Sequence, residues 1–156
     1  MPFAARPFQP SGKQGSLGVM VPFRLDSRLA ADTLPIGDLP LCSALLLDDA
    51  RFPWLVLVPR RAGVAEVTDL SDEDAMTLMG EIRVATRVVL ELAKPDKVNV
   101  AALGNVVAQL HVHVVGRFRS DPAWPGPVWA HGTRAPYPHH AAAALVERAA
   151  GLFAAA

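Results

Sequence analysis

Apolar positions along the chain change period several times, and each change predicts an element. Between Phe23 and Thr33, Leu25 and Leu29 stand four apart with Ala30 beside them, which predicts a short helix that Pro35 stops. Such a helix suits the edge of a sheet. Two short apolar runs follow, Leu41 to Leu47 and Trp54 to Val58, divided by Asp48, Asp49, Ala50, Arg51, Phe52 and Pro53. Runs of this length, rich in Leu and Val and split by a polar turn, predict an antiparallel hairpin buried on both faces. From Ser71 the spacing becomes helical: Ala75, Leu78, Met79, Ile82, Ala85, Val89 and Leu92 recur mostly at steps of three and four. Ser71 caps this main helix, Asp72, Glu73 and Asp74 favour the positive end of its dipole, and Pro95 ends it. Lys97 to Leu103 and Gln109 to Phe118 then read as strands, with Gly104 and Asn105 supplying a turn between them. Beyond Asp121 a loop dense in proline and tryptophan leads to an alanine-rich helix starting near Ala141 and carrying Leu145, Ala149, Leu152 and Phe153. Helices packed against an antiparallel sheet make an α+β domain.

Composition narrows the picture. With 156 residues, 51% of them hydrophobic, the chain can bury one good core. Residues 1–22 carry Arg6, Lys13 and several prolines and glycines without a long apolar run, and read as a loose N-terminal arm. Lys plus Arg, 15, equals Asp plus Glu, 15, so no broad charge gathers a nucleic-acid polymer or an acidic membrane. Any phosphate must be met locally. Charged residues interrupt every apolar run before membrane-spanning length, so a soluble protein is expected. Cys42 is the only cysteine, which excludes an internal disulfide and fits a cytoplasmic, reducing setting. Its apolar neighbours mark it as a core residue.

The chemistry concentrates in Gln109-Leu110-His111-Val112-His113-Val114-Val115-Gly116-Arg117. Alternation along a strand puts Gln109, His111, His113 and Val115 on one face and Leu110, Val112 and Val114 on the other. The α-carbons of two imidazoles so spaced lie roughly 6 to 7 Å apart, close enough to act on one phosphate or to bind one metal. A half-buried strand with hydrogen-bonded histidines is the plain alternative. A zinc site needs three or four donors, and His131, His139 and His140 show no recognisable ligand spacing, so no metal or cofactor is expected. No dinucleotide-binding glycine pattern or phosphate loop is present either.

Gln-Leu-His-Val-His-Val-Val resembles the histidine-triad (HIT) motif, in which three histidines alternate with hydrophobic residues. Leu-Leu-Asp-Asp-Ala-Arg-Phe-Pro-Trp at 46–54, Leu-Val-Pro-Arg-Arg at 57–61, Asn99, Gly104-Asn105 and Asp121-Pro-Ala-Trp-Pro-Gly-Pro-Val-Trp are similar to a bacterial branch of this superfamily. The resemblance implies a HIT-like antiparallel sheet with a long packed helix over residues 23–130, a C-terminal loop and helix over 131–156, and a homodimer. It also implies hydrolysis or transfer of a nucleoside monophosphate unit from a phosphoramidate or phosphoanhydride, such as a dinucleoside polyphosphate. By the same resemblance, His111 is the nucleophile that attacks the α-phosphorus and His113 donates a hydrogen bond to a phosphate oxygen. Asn99, Gly104 and Asn105 contact phosphate or leaving group, and Trp124 approaches the partner subunit's site. Asp48 holds the ribose hydroxyls, with Asp49 as competitor.

Gln109 stands where the family usually has its first histidine, and is grouped with the catalytic residues. Glutamine keeps a donor and an acceptor but carries no titrating proton. Two rivals to the enzyme reading stay open: a nucleotide-binding module with little turnover, and a metal-binding protein using the histidine pair. Arg117 and Arg119 are either phosphate ligands or solvated charges. Asp72 to Asp74 belong to the helix start.

Overall fold

The structure is a computed structural model, which describes residues 22–156; the expected N-terminal arm lies outside them apart from Pro22. Five strands form one antiparallel sheet. In chain order the elements are α1 (Ser27–Asp32), β1 (Thr33–Asp38), β2 (Cys42–Leu47), β3 (Trp54–Pro59), a 3-10 turn (Val67–Asp69), α2 (Asp72–Ala93), β4 (Lys97–Ala101), β5 (Val112–Arg117) and α3 (His139–Ala154). The spatial order is β1-β2-β3-β5-β4. This is the expected α+β arrangement, with β2 and β3 as the hairpin and α2 as the main helix.

Local chemistry sets the ends of α2. The Ser71 hydroxyl accepts from the Asp74 N–H at 3.1 Å, and Lys94 takes a left-handed conformation (φ 49°) just before Pro95. Its inner face buries Leu78, Ala85, Val88 and Val89 against Leu46, Leu55, Leu57, Val112 and Val114 of the sheet. Glu81 is buried on that face too, and its carboxylate accepts from the Leu41 and Cys42 N–H groups at 2.7 and 2.9 Å. Those bonds compensate the carboxylate and tie α2 to the start of β2. Cys42 lies in the core, where burial and then Glu81 push its thiol pKa up. Gly116 permits the close packing of β5 on α2, because a Cβ there would sit 2.6 Å from Pro53 Cγ and 3.0 Å from Val89 Cγ1.

Residues that alternate with this set point to the other face, where Leu45, Trp54, Val56, Val58 and Val115 pack with Leu29, Phe52 and Val128. That face carries the histidines. It is covered by α1 and by the segment after β5, so β5 is buried on both sides.

Several boundaries depart from expectation, the simplest being β4, which ends at Ala101 rather than Leu103. Pro35 does more than stop a helix: α1 ends at Asp32, and residues 33–38 become edge strand β1, with a register shift between Pro35 and Gly37. An edge strand tolerates proline because its missing N–H needs no ladder partner. The ladder of β5 begins at Val112, so Gln109 and His111 precede it in a connection running from 102 to 111. Finally, α3 starts at His139 rather than Ala141, and its Ala149 is fully buried in the core beside α2.

Candidate active site

His113 is held centrally, its Cα paired with Val56 on β3 and Ala101 on β4. His111 sits one turn of the pleat earlier. Their rings approach edge to face, with centroids 4.9 Å apart and planes at 79°, and the residues are only 7% and 8% exposed. The Nδ1 of His111 lies 2.6 Å from the Gln109 carbonyl oxygen. A carbonyl only accepts, so Nδ1 carries the proton and Nε2 keeps its lone pair. On the other ring, the Trp54 indole N–H donates to His113 Nδ1 at 3.0 Å. Burial, helped by the nearby His111, lowers the His113 pKa to about 4, so this imidazole is neutral at physiological pH.

Both histidines line a cavity of about 540 Å³, together with Leu29 and Asp32 of α1, Leu47, Val107, Trp129 and the Gly104-Asn105 pair. That volume lies within the range of small-molecule sites. The cavity is apolar at Leu29, Leu47, Val56 and Val107, charged where Arg28 and Asp32 of α1 border it, and polar where the imidazoles meet the 104–105 segment. Gly104 needs its glycine, since the chain bends there with φ +70°. Trp129 packs edge-on against His113 and Trp54, at centroid distances of 5.7 and 5.9 Å. An ion pair between Asp32 and Arg134, 2.7 Å long and partly exposed, sits at the rim.

The structure thus brings His111, His113, Gly104 and Asn105 together. It directs the other expected site residues elsewhere. The Gln109 amide faces the start of α1, accepting from the Asp26 N–H at 2.9 Å and donating to the Arg24 carbonyl at 2.8 Å. It is the backbone of Gln109, not its side chain, that touches an imidazole. Asp48 accepts from the Tyr137 N–H at 2.8 Å and does not line the cavity. Asp49 borders a smaller recess of about 260 Å³ beside His113, but its carboxylate is taken up by Arg51 (2.8 and 2.6 Å) and by the Ala135 N–H. Burial opposes its ionisation, yet these hydrogen bonds win and hold its pKa below the usual carboxylate value.

Asn99 accepts from Arg117 at 2.8 Å. Arg117 is neither a phosphate ligand nor solvated: it is 1% exposed and bonded to Asp121 through two nitrogens and to the Gly126 carbonyl. Hydrogen bonding from Arg117 holds the Asp121 carboxyl below its ordinary pKa. Trp124 lies over the Arg117 guanidinium at 5.8 Å, outside the cavity, and is 38% exposed. This buried knot pins the loop that carries Trp129. Arg119 is exposed, and its N–H donates to Asp96.

Asp32, Leu29, Trp54 and Trp129 are site residues that the pattern did not single out. Trp54 and Trp129 stood inside quoted motifs, but nothing in the local sequence distinguishes Asp32 from any residue ending a helix. Among the described residues, no group of three or more His, Cys, Asp or Glu converges as metal ligands. None of the described helices is long and apolar enough to cross a membrane.

Comparisons with known proteins agree with this fold. Residues 28–120 match the profile of the HIT domain. A histidine triad (HIT) protein from Sinorhizobium meliloti shares 43% identity, with a TM-score of 0.81 over 84% of this chain and 97% of its own. Another histidine triad protein, from Marinobacter aquaeolei, shares 41% identity, with a TM-score of 0.84 over 86% of this chain and 98% of its own. An AP-4-A phosphorylase from Mycobacterium tuberculosis is 37% identical over 73 residues, 43% of this chain. The match spans 37% of that protein's length, little more than a third.

Proposed function

The chain belongs to the HIT domain family, and we propose that it transfers or hydrolyses a nucleoside monophosphate unit through a covalent bond from His111 to phosphorus. The observation that carries this reading is the wiring of His111. Its proton is committed to the Gln109 carbonyl, so a neutral imidazole offers an Nε2 lone pair at the cavity. That hydrogen bond also fixes the ring's tautomer and orientation, as such partners do for metal-bound imidazoles, and an imidazole lone pair attacks without a separate base.

The substrate is a nucleoside phosphoramidate or a phosphoanhydride such as a dinucleoside polyphosphate. His111 Nε2 bonds to the α-phosphorus, and the P–N or P–O bond to the leaving group breaks, the electron pair departing with that group. Water then attacks the same phosphorus, and the imidazole leaves as the nucleoside monophosphate is released. Splitting one displacement into two lowers each barrier. His113 stabilises the charged phosphoryl oxygens by hydrogen bonding, and the Gly104-Asn105 backbone takes up the phosphate or leaving group. The apolar wall of Leu29, Leu47 and Val107 suits a base. Asp32 is better placed than Asp48 to accept from ribose hydroxyls, since it lines the cavity while Asp48 is engaged by Tyr137. We assign Asn99 to support of Arg117 rather than to phosphate, and Gln109 to support of the His111 carbonyl partner.

The working unit is a homodimer. Met76, Met79 and Leu90 on the outer face of α2, and Val100 on edge strand β4, are large apolar residues left exposed in one chain, and an open strand edge favours pairing. Trp124, 38% exposed in one chain, is then free to approach the second subunit.

A panel of nucleoside phosphoramidates and dinucleoside polyphosphates tests the function. Wild type should turn over at least one, and His111→Ala should lose roughly a thousandfold or more, the scale for removing a covalent nucleophile. A wild type that binds nucleotides tightly without turnover would favour a binding module instead.

A further inference from the structure

Trp54 supplies a constraint that the reaction outlined above does not use. Trp54 is buried, 5% exposed, and its indole N–H lies 3.0 Å from His113 Nδ1. An indole nitrogen is donor-only. The imidazole nitrogen facing it must therefore hold a lone pair, and a neutral ring then carries its proton on Nε2. Two further contacts keep the ring from turning: Trp54 and Trp129 stand edge-on to it, with centroids at 5.5 and 5.7 Å. The paired backbones of β3 and β4 hold His113 from either side. The adjacent His111 is wired in the opposite sense, with its proton on Nδ1.

We propose that Trp54 is a positioning residue, whose donor-only indole holds His113 in the Nε2–H tautomer so that the histidine pair presents one lone pair, on His111, and one donor, on His113. The inference rests on the phosphoryl-transfer reading for its consequence, though not for the tautomer itself. The consequence concerns sign. A phosphoryl oxygen carries negative charge, and a lone pair at His113 Nε2 would repel it, whereas an N–H attracts it. Without Trp54, nothing on the described residues prevents His113 from moving its proton to Nδ1 and turning its lone pair to the cavity. Trp54 stands at the start of β3, two residues from the paired Val56, so a change in its indole reaches His113 directly.

The experiment compares 15N-labelled wild type with Trp54→Phe, which keeps an aromatic ring and removes the N–H. Long-range 1H–15N correlation reads each imidazole's tautomer, and His113→Gln assigns the peaks. Wild-type His113 should show a protonated Nε2 and a bare Nδ1, and His111 the reverse. Trp54→Phe should show averaged or inverted nitrogens at His113 with His111 unchanged. On a nucleoside phosphoramidate its kcat should fall roughly tenfold to a hundredfold while KM moves less than about threefold, the pattern of a group felt mainly in the transition state. A wild-type His113 protonated on Nδ1 overturns the proposal without any variant. So does a Trp54→Phe protein whose tautomer shifts while kcat stays at the wild-type level. Failure of wild type to turn over any nucleotide, with the tautomers as stated, overturns the phosphoryl-transfer reading and leaves the spectrum to establish the lock.

Discussion

The side chain of Gln109 grips the backbone at Asp26, 83 residues earlier in the chain, accepting its N–H at 2.9 Å while donating to the carbonyl of Arg24. At the same time the main-chain oxygen of Gln109 holds His111 Nδ1. One residue thus connects the start of α1, a wall of the cavity, to the orientation of the proposed nucleophile.

Gln109→Ala should therefore act on stability and on substrate binding together. Loss of two neutral hydrogen bonds is expected to lower unfolding free energy by about 1 to 3 kcal/mol, and KM for a nucleotide should rise as the α1 wall loosens. Gln109→His keeps one donor and one acceptor, but on ring nitrogens that point in more divergent directions than the amide oxygen and nitrogen, so it should fall between alanine and wild type in urea midpoint. Alanine as stable as wild type would contradict the bridging role.

Asp32 and Asp48 are separated by function in this account. Asp32→Ala should raise KM for nucleotides roughly tenfold, the effect of one good hydrogen-bonding partner, with little change in kcat. Asp48→Ala should leave KM near wild type but lower Tm, because it releases the Tyr137 N–H and the segment before α3. Steady-state kinetics on the two variants, with thermal melts, distinguishes them; a KM effect confined to Asp48→Ala would reverse the assignment.

Acid should weaken the fold through His113. Its pKa is about 4 in the folded protein, against 6.5 for an ordinary histidine, because burial and then His111 disfavour its charge. Above pH 6.5 the ring is neutral in both folded and unfolded chains and adds nothing. Between 6.5 and 4 the unfolded chain binds a proton that the folded one refuses, so stability falls as pH drops, by about 3 kcal/mol across the window at 1.36 kcal/mol per pH unit. The carboxylates of Asp49 and Asp121, held below 3.8, lose their contribution only at lower pH. Urea titrations at several pH values should give a flatter profile for His113→Gln than for wild type. Equal slopes would contradict the buried, neutral imidazole.

Much of the architecture was legible because its signals are local. The helical spacing from Ala75 to Leu92, its Ser71 cap and its Pro95 stop define α2 without help from elsewhere, and the two runs around Asp48 to Pro53 define the hairpin. Strand β1 was not legible, because Pro35 and Gly37 break its alternation and only pairing with β2 makes it a strand. At the site, alternation singled out His111 and His113 correctly as neighbours. Asp32 and Trp129 escaped because they arrive from distant elements, and Arg117 misled because a charged residue at the end of a strand looks solvated until the 118–126 loop closes over it. The same burial drew Asn99 away from the cavity, since a buried guanidinium requires every acceptor within reach.

A covalent bond between His111 and phosphorus is accessible to mass spectrometry of the quenched reaction. Wild type mixed with a nucleoside phosphoramidate is quenched in base, which preserves an acid-labile P–N bond, and digested. A nucleoside monophosphate adduct should appear on the peptide containing His111, located on that residue by fragmentation and absent from His111→Ala, which should also lack turnover. Full turnover by His111→Ala, or an adduct that maps to another residue, would contradict it.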